Sequence, residues 1–260
     1  MLTVILPHFR CARYLPAAVR SVLGQTVRNL RLVVVDDCSP DDDWVSALAP
    51  FRDDPRLTVL RASRRVGHLR LKNAVLPTVT TPYVGFQDAD DESEPNRFAV
   101  QVAMLERGRA DLVGSGFTQI DAEGRVTGMR RMPRNGNLWI RMGRTTVALH
   151  PTTVVRRAVF SRLGGFDGTA EFGADTDFHL RLARLYRIRN SRLPLYRYRV
   201  WAQSLTGAPE TGFGSPARQA YVARLLEAEQ RRKQARGPAE LLPLLVAPGN
   251  DVDFDLEPVR

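Results

Sequence analysis

Asp88, Asp90 and Asp91 crowd into the stretch YVGFQDADDESEP, residues 83–95, with Glu92 and Glu94 close behind. Carboxylates this close repel, and each resists ionising without a compensating cation. Spaced Asp-Ala-Asp where an apolar segment enters a turn, they can converge on one hard divalent cation, Mg2+ or Mn2+, leaving its other positions to water and phosphate oxygens. The competing reading is that they cap the next helix and shape the turn. For Asp91 the two readings stand level; for Asp88 and Asp90 a metal or substrate role is favoured. A second acidic pair, Asp36-Asp37, closes LRLVVVDD, and a third, Asp175 and Asp177, stands in FGADTDFHLRLA. Asp177 precedes Arg181 by four residues, the spacing of an intrahelical ion pair, so its replacement by Asn is expected to cost at most about 0.5 kcal/mol. Asp175 has an inward-facing Phe178 at i+3, which weakens the ion-pair reading for it and leaves a dipole-stabilising role at a helix start.

These groups need elements to position them. LTVILP, LRLVVVDD, RLTVLR and YVGFQD read as strands, the first, second and fourth buried. Leu15, Val19, Val22 and Leu23 mark one helix face, Trp44, Val45 and Leu48 a short helix, LRLKNAVL another, and Phe98, Val102 and Leu105 a helix from about 94 to 107. Strands alternating with helices imply crossover units, hence an α/β fold with a central, mostly parallel sheet flanked by helices. Past Asp111 the rhythm changes: ADLVGSGFTQIDAEGRV is a strand with a turn at 122–124, MRRMPRNGN a polar loop, TTVVRRAVFSRLGGFD a strand and short helix stopped by Gly164-Gly165, 175–186 a helix and LPLYRYRV a strand. A mixed second half follows, then a charged amphipathic helix over 215–236 and a Pro-broken, acidic tail. The division is a ligand-binding half over 1–110, a second half of the same domain over 111–206, and a C-terminal helix and tail over 207–260. In an open parallel sheet ligands bind beyond the carboxyl ends of the strands, so Asp36-Asp37 and Asp88 to Asp91 should share one edge.

The 260 residues are 43% hydrophobic, enough for a sizeable core. The apolar runs are too short to span a bilayer and no leader pattern precedes them, so a soluble, cytoplasmic chain is expected. Cys11 and Cys38 have no metal-ligand spacing and read as reduced thiols. The net charge of +10 is nearly all arginine, because only Lys72 and Lys233 are lysines. The arginines are scattered and lack interleaved aromatics, so no nucleic-acid groove is expected. Their field favours nucleotide phosphates or an acidic membrane surface, which keeps a peripheral membrane contact open.

The ordered set ILPHFRCARYLPAAVRSVLGQT, LRLVVVDDCS, VGHLRLKNAV, YVGFQDADD, HPTTVVRRAVFSRLGGFD, FGADTDFHLRLA and YRYRVWAQSLT resembles the family 2 glycosyltransferases, inverting enzymes of the GT-A fold, over about residues 2–206. The resemblance implies a nucleotide-diphosphate sugar donor and a divalent cation, Mn2+ or Mg2+. It implies that Pro7, Phe9, Asp36 and Asp37 line the nucleoside pocket. It further implies that Asp88 and Asp90 are the DXD pair, with Asp90 on the metal-bound diphosphate, and that Asp175 is the catalytic base.

This sequence departs from the family pattern at four places. Phe9-Arg10 stands for the common Tyr-Asn, and Lys72-Asn73 for Arg-Asn, where Lys72 still neutralises a phosphate as a point charge. Ala174-Asp175 stands for Glu-Asp, and Trp201 for a frequent His able to ligate a metal. The chemistry follows from the groups themselves: a cation held by Asp90 stabilises the leaving diphosphate, and Asp175 takes the acceptor proton from the opposite face of the sugar, inverting the anomeric centre. His150 reads as a satisfied histidine at a strand start, and Trp139, Tyr198 and Trp201 as packing residues or stacking platforms for a sugar. The acceptor, whether saccharide, lipid-linked glycan or natural product, is not legible. Residues beyond 206 are expected to cover the acceptor site or to pack against a second subunit as a homodimer. Two rival classes remain: a non-catalytic carbohydrate- or nucleotide-binding scaffold, and a nucleotidyltransferase. Against the latter, PHFRCARYL after the first strand contains no glycine.

Overall fold

A computed structural model of the chain describes residues 1–170, 173–201, 204, 215–249 and 251–259. The apolar runs become β1 (Leu2–His8), β2 (Leu30–Asp36), β3 (Leu57–Ala62) and β4 (Tyr83–Phe86), linked by α1 (Leu15–Leu23), α2 (Asp43–Leu48) and α3 (His68–Val75). The next elements are β5 (Glu92–Ser93), α4 (Arg97–Glu106), β6 (Leu112–Ile120), β7 (Val126–Arg130), α5 (Gly136–Arg141), β8 (Val154–Arg156), α6 (Arg157–Leu163), α7 (Ala174–Leu182) and β9 (Ile188–Arg199). The chain closes with α8 (Pro216–Gln234), α9 (Pro238–Leu241) and β10 (Leu256–Pro258).

Ten strands form one sheet in the order β10-β3-β2-β1-β4-β8-β6-β9-β5, with β7 paired to β6. β3, β2, β1 and β4 are parallel, whereas β8 runs antiparallel between β4 and β6. The sheet is therefore parallel in its first half and mixed in its second. Alternate residues of β1 feed two cores: Ile5 joins Val35, Val84 and Phe86 on one face, while Val4 and Leu6 join Val19, Val22 and Leu32 on the other. A strand buried on both faces reads as a continuous apolar run, which is why β1 is so plain in the sequence. β1 has β2 on one side and β4 on the other, both parallel to it, so it is the switch point where a crevice opens at the carboxyl edge.

Two segments depart from the sequence reading. The strand expected at LPLYRYRV is the end of the 12-residue β9, which runs beside β6 through two register shifts. Its start was hidden because Arg189 and Arg192 break the hydrophobic pattern. The polar loop MRRMPRNGN begins inside β7, whose residues are mostly exposed, and leads into the unexpected α5, capped by Asn135 accepting from the Leu138 amide at 3.2 Å.

The C-terminal region packs on its own chain. Tyr221, Leu225, Leu245 and Phe254 enter the core that contains Ile5 and Phe86, and Leu256 pairs with Ala62 across β10 and β3. A fully buried apolar side chain of this size stabilises by about 1.5–3 kcal/mol. Truncation after Thr206 should therefore abolish cooperative folding rather than merely trim the protein. A truncated chain with an unchanged urea midpoint would refute this.

Candidate functional site

Register places the carboxyl ends of β1, β2 and β4 side by side: His8 pairs with Asp36, and Ile5 with Phe86, two residues before Asp88. The two acidic clusters thus share one edge. Asp36 is fully buried, accepts the Ser39 amide at 3.0 Å and lies 3.4 Å from the Arg61 Nε. Asp37 accepts the Val66 amide at 2.7 Å and the Gly67 amide at 2.9 Å. Burial pushes both carboxyls above their usual range, against the pull of these donors. Both carboxylates thus organise the loops of the crevice. Arg10 (φ 49°) and Cys38 (φ 56°) have left-handed backbones in the loops after β1 and β2, and the Arg10 amide ties them by donating to Ser39 Oγ at 3.0 Å. Such strain persists only where surroundings enforce it. Pro7 is buried within β1, while the half-buried Phe9 ring is capped by the Arg65 guanidinium at 4.1 Å, a flat surface at the crevice rim.

The turn after β4 is held from beneath by Arg97, which is fully buried. Its guanidinium donates to the Phe86 carbonyl at 2.8 Å, the Pro151 carbonyl at 2.6 Å, Ser93 Oγ at 2.8 Å and Gln87 Oε1 at 3.1 Å. The Asp88 amide donates to the Tyr196 hydroxyl at 3.1 Å, and Asp91 Oδ1 accepts the Arg199 amide at 2.7 Å. Asp91 is thus a buried bracket between turn and β9. Arg199 also donates from Nε to the Asp90 carbonyl at 2.7 Å and lies over the Tyr14 ring at 4.5 Å. Asp90 Oδ2 accepts the Trp201 indole N–H at 2.7 Å. Trp201 is therefore a donor to the Asp90 carboxylate. The indole packs edge-on against Tyr14 at 5.3 Å.

Lys72, on α3, is 1% exposed, with its ammonium 5.4 Å from the Phe86 ring centroid. Burial draws its pKa down, while Asp88 and Asp175 pull it up. Asp88 is pushed up to about 6 by burial, against the attraction of Lys72. The lysine thus connects the turn after β4 with α7 electrostatically.

α7 starts after Gly173, left-handed at φ 81°, where an added Cβ would stand 2.5 Å from the Tyr221 ring of α8. Asp175 is half-buried, and its Oδ1 accepts the Thr176 amide at 2.9 Å. Asp177 is buried and takes Arg181 Nε on one oxygen at 2.6 Å and Arg232 of α8 on the other at 2.7 Å. The expected pairing with Arg181 is present, but it is interior and shared with Arg232 of α8, so the premise of a lone intrahelical pair does not hold. His150, expected to be satisfied, has no hydrogen-bond partner on either ring nitrogen among the described residues. It packs on Phe86 at 4.4 Å and lies 5.8 Å from His179, and burial holds it well below the usual histidine range.

Sequence reasoning missed Arg65, Arg97, Tyr196, Arg199 and Arg232. Only Tyr196 and Arg199 left a signal, as the first and last residues of an alternating YRYR run. Arg97 and Arg232 read as ordinary helix-surface arginines.

The sequence profile described as glycosyl transferase family 2 matches residues 3–164, which carry both acidic clusters and Lys72. The chain belongs to that family. EpsE of Bacillus subtilis is 32% identical over 168 residues, 63% of this chain and 59% of its own length, so this chain spans about three fifths of that relative. Among solved structures, TarS residues 1–349 of S. aureus in complex with UDP has 19% identity and a TM-score of 0.67, covering 89% of this chain and 71% of its own. The mannosyltransferase PcManGT of Pyrobaculum calidifontis, in complex with GDP-Man and Mn2+, has 21% identity and a TM-score of 0.64, covering 94% and 67%. These likenesses establish the GT-A fold for the family 2 chain. No helix among the described residues is long and apolar enough to cross a membrane.

Proposed function

We propose that this family 2 chain transfers a glycosyl group from a nucleotide-diphosphate sugar to an acceptor hydroxyl with inversion at the anomeric carbon. The observation that carries the reading is the shared carboxyl edge, where strand register sets Asp36-Asp37 beside the turn of Asp88 and the buried Lys72 ammonium lies 5.4 Å from the Phe86 ring at the end of β4. A diphosphate at the carboxyl edge would meet this cation, and an acceptor over α7 would meet Asp175. That TarS binds UDP and PcManGT binds GDP-Man supports a nucleotide-sugar donor here.

In this reading the nucleoside lies over Phe9 and Arg65, in the crevice shaped by Pro7, Asp36 and Asp37, with Asp88 toward the ribose. Asp175 accepts the acceptor proton on the face of the sugar away from the leaving group. Single displacement then inverts the centre without a covalent enzyme intermediate.

The family implies a divalent cation, as PcManGT holds Mn2+. Among the described residues no three His, Cys, Asp or Glu side chains gather to hold a metal. Trp201 fills one oxygen of Asp90, and the other accepts no side-chain hydrogen bond among those residues. One carboxylate with water and diphosphate oxygens is a set that Mg2+ or Mn2+ accepts, so the site fits a cation held by Asp90 alone. When bound, it would serve as a Lewis acid on the leaving diphosphate.

Incubation with UDP-, GDP- and TDP-sugars and a panel of acceptors, with the product anomer read by NMR, tests the activity; a retained configuration would refute the mechanism. Nucleoside diphosphate affinity should rise with Mn2+, and Asp90→Asn should remove most of that rise. Calorimetry giving equal affinity with and without metal would exclude the cation. The Trp201 hydrogen bond also favours a second reading, a nucleotide-binding scaffold without turnover, and tight donor binding with no transfer to any acceptor would establish it.

A further inference from the structure

From Arg125 to Phe166 the chain contains nine arginines and not one aspartate or glutamate. Within this stretch, α5 and the residue after it turn large apolar side chains to solvent: Leu138 is 52% exposed, Trp139 37% and Met142 65%. Leu138 and Met142 are four residues apart and Trp139 and Met142 three, so the three share one helix face. Arg141 and Arg144 are exposed beside them, with the Arg144 guanidinium 5.7 Å from the Trp139 ring. Just before α5, Arg134 lines a surface depression together with Arg107, Arg192 and the exposed Leu193. None of Arg107, Arg134, Arg141, Arg144 or Arg192 forms an ion pair with a carboxylate among the described residues. Among the described residues these cations have no internal counter-charge, and Arg141 and Arg144 flank an apolar face left without cover.

A water-exposed Trp-Leu-Met face is costly unless something covers it, and large exposed apolar patches mark interaction sites. The charges around it select the partner. An aromatic and aliphatic ridge flanked by arginine matches the boundary of an anionic bilayer, where the ridge sinks among the acyl chains and the guanidiniums meet lipid phosphates. A nucleic acid would satisfy the arginines and leave Leu138 and Met142 wet. We propose that α5 and the adjoining arginine depression form a monotopic docking surface for an anionic lipid bilayer, holding the second half of the domain against the membrane. This goes beyond the transfer reaction and does not depend on it.

The test is co-flotation of the full chain with vesicles of phosphatidylcholine alone and with phosphatidylglycerol added, at about 0.1 M and 0.5 M salt. The chain should float with the anionic vesicles, stay behind with the neutral ones, and be released by the higher salt. Each arginine near a charged surface is worth about fivefold in binding, so Arg141→Gln with Arg144→Gln should weaken association about 25-fold. Leu138→Ser with Trp139→Ser and Met142→Ser should weaken it at least about tenfold. All five side chains are exposed, and unchanged thermal unfolding would show that the variants fold. Absence of flotation with anionic vesicles would overturn the proposal, as would undiminished flotation by either variant. It would equally be overturned if the apolar variant dissociated a dimer without affecting flotation, which would make the face a self-association surface. Binding of DNA or heparin with vesicle-like strength and no sensitivity to the apolar variant would assign the arginines to polyanions instead.

Discussion

Asp175→Asn lowers the rate of sugar transfer by about 10²- to 10⁴-fold while leaving nucleoside diphosphate affinity within a few fold. The expectation rests on where the side chain stands. It is half-buried in the first turn of α7, its only side-chain hydrogen bond among the described residues is to the neighbouring Thr176 amide, and the rest of the carboxylate is free for an acceptor. Asn keeps the volume and can still accept from Thr176, so helix and crevice should survive. What it removes is a base, and positioned proton transfer is worth that range of rate. Asp88 and Asp175 both pull the buried Lys72 ammonium toward its charged form against burial, so a modest change in donor affinity is allowed for. Single-turnover rates and calorimetric UDP binding on the same preparation separate the two effects. A variant with full transfer rate sinks the assignment, and a parallel collapse of affinity would make Asp175 a donor-site residue.

Two residues along the same helix the opposite outcome is expected: Asp177→Asn destabilises the protein by about 3–5 kcal/mol and impairs transfer only through loss of folded chain. Asp177 is 7% exposed and holds two guanidiniums. Arg181, in turn, donates to the carbonyls of Leu163, Leu245 and Gly165, stitching α6, the C-terminal turn and α7 together. Arg184, in the turn after α7, and Glu229 form a further ion pair to α8. Neutralising the carboxylate leaves two buried cations with half their compensation, and an uncompensated buried charge costs far more than a surface pair contributes. Urea denaturation at constant m-value gives the loss directly. A change below about 0.5 kcal/mol would return Asp177 to the surface pair that its spacing suggested. Should Asp177→Asn instead keep its stability and lose its rate, the roles of the two aspartates are exchanged.

The sequence alone determined the parallel half of the sheet, because β1 and β4 are buried along their whole length and β2 along most of it, leaving mainly apolar runs that no helix period explains. It likewise placed Asp36-Asp37 and Asp88 to Asp91 on one edge, since parallel strands in a crossover fold end on the same side. The motif order carried the family, which the profile over residues 3–164 bears out. Tertiary structure decided what each polar group faces. Arg97 and Arg232 look like any other arginine in an arginine-rich chain, and only folding buries them against carbonyls and carboxylates that are distant in sequence. Asp177 and Arg181 have identical spacing whether their helix is wet or covered, so only the packing of α8 fixes the energy of the pair. The acid-poor stretch around α5 is visible as letters, but its apolar ridge is not, because whether Trp139 packs inward or faces water depends on which side of α5 meets β9. Local pattern fixes the apolar strands and helices of the parallel half; burial, and with it charge energetics and chemistry, is a property of contacts between segments that the pattern does not encode.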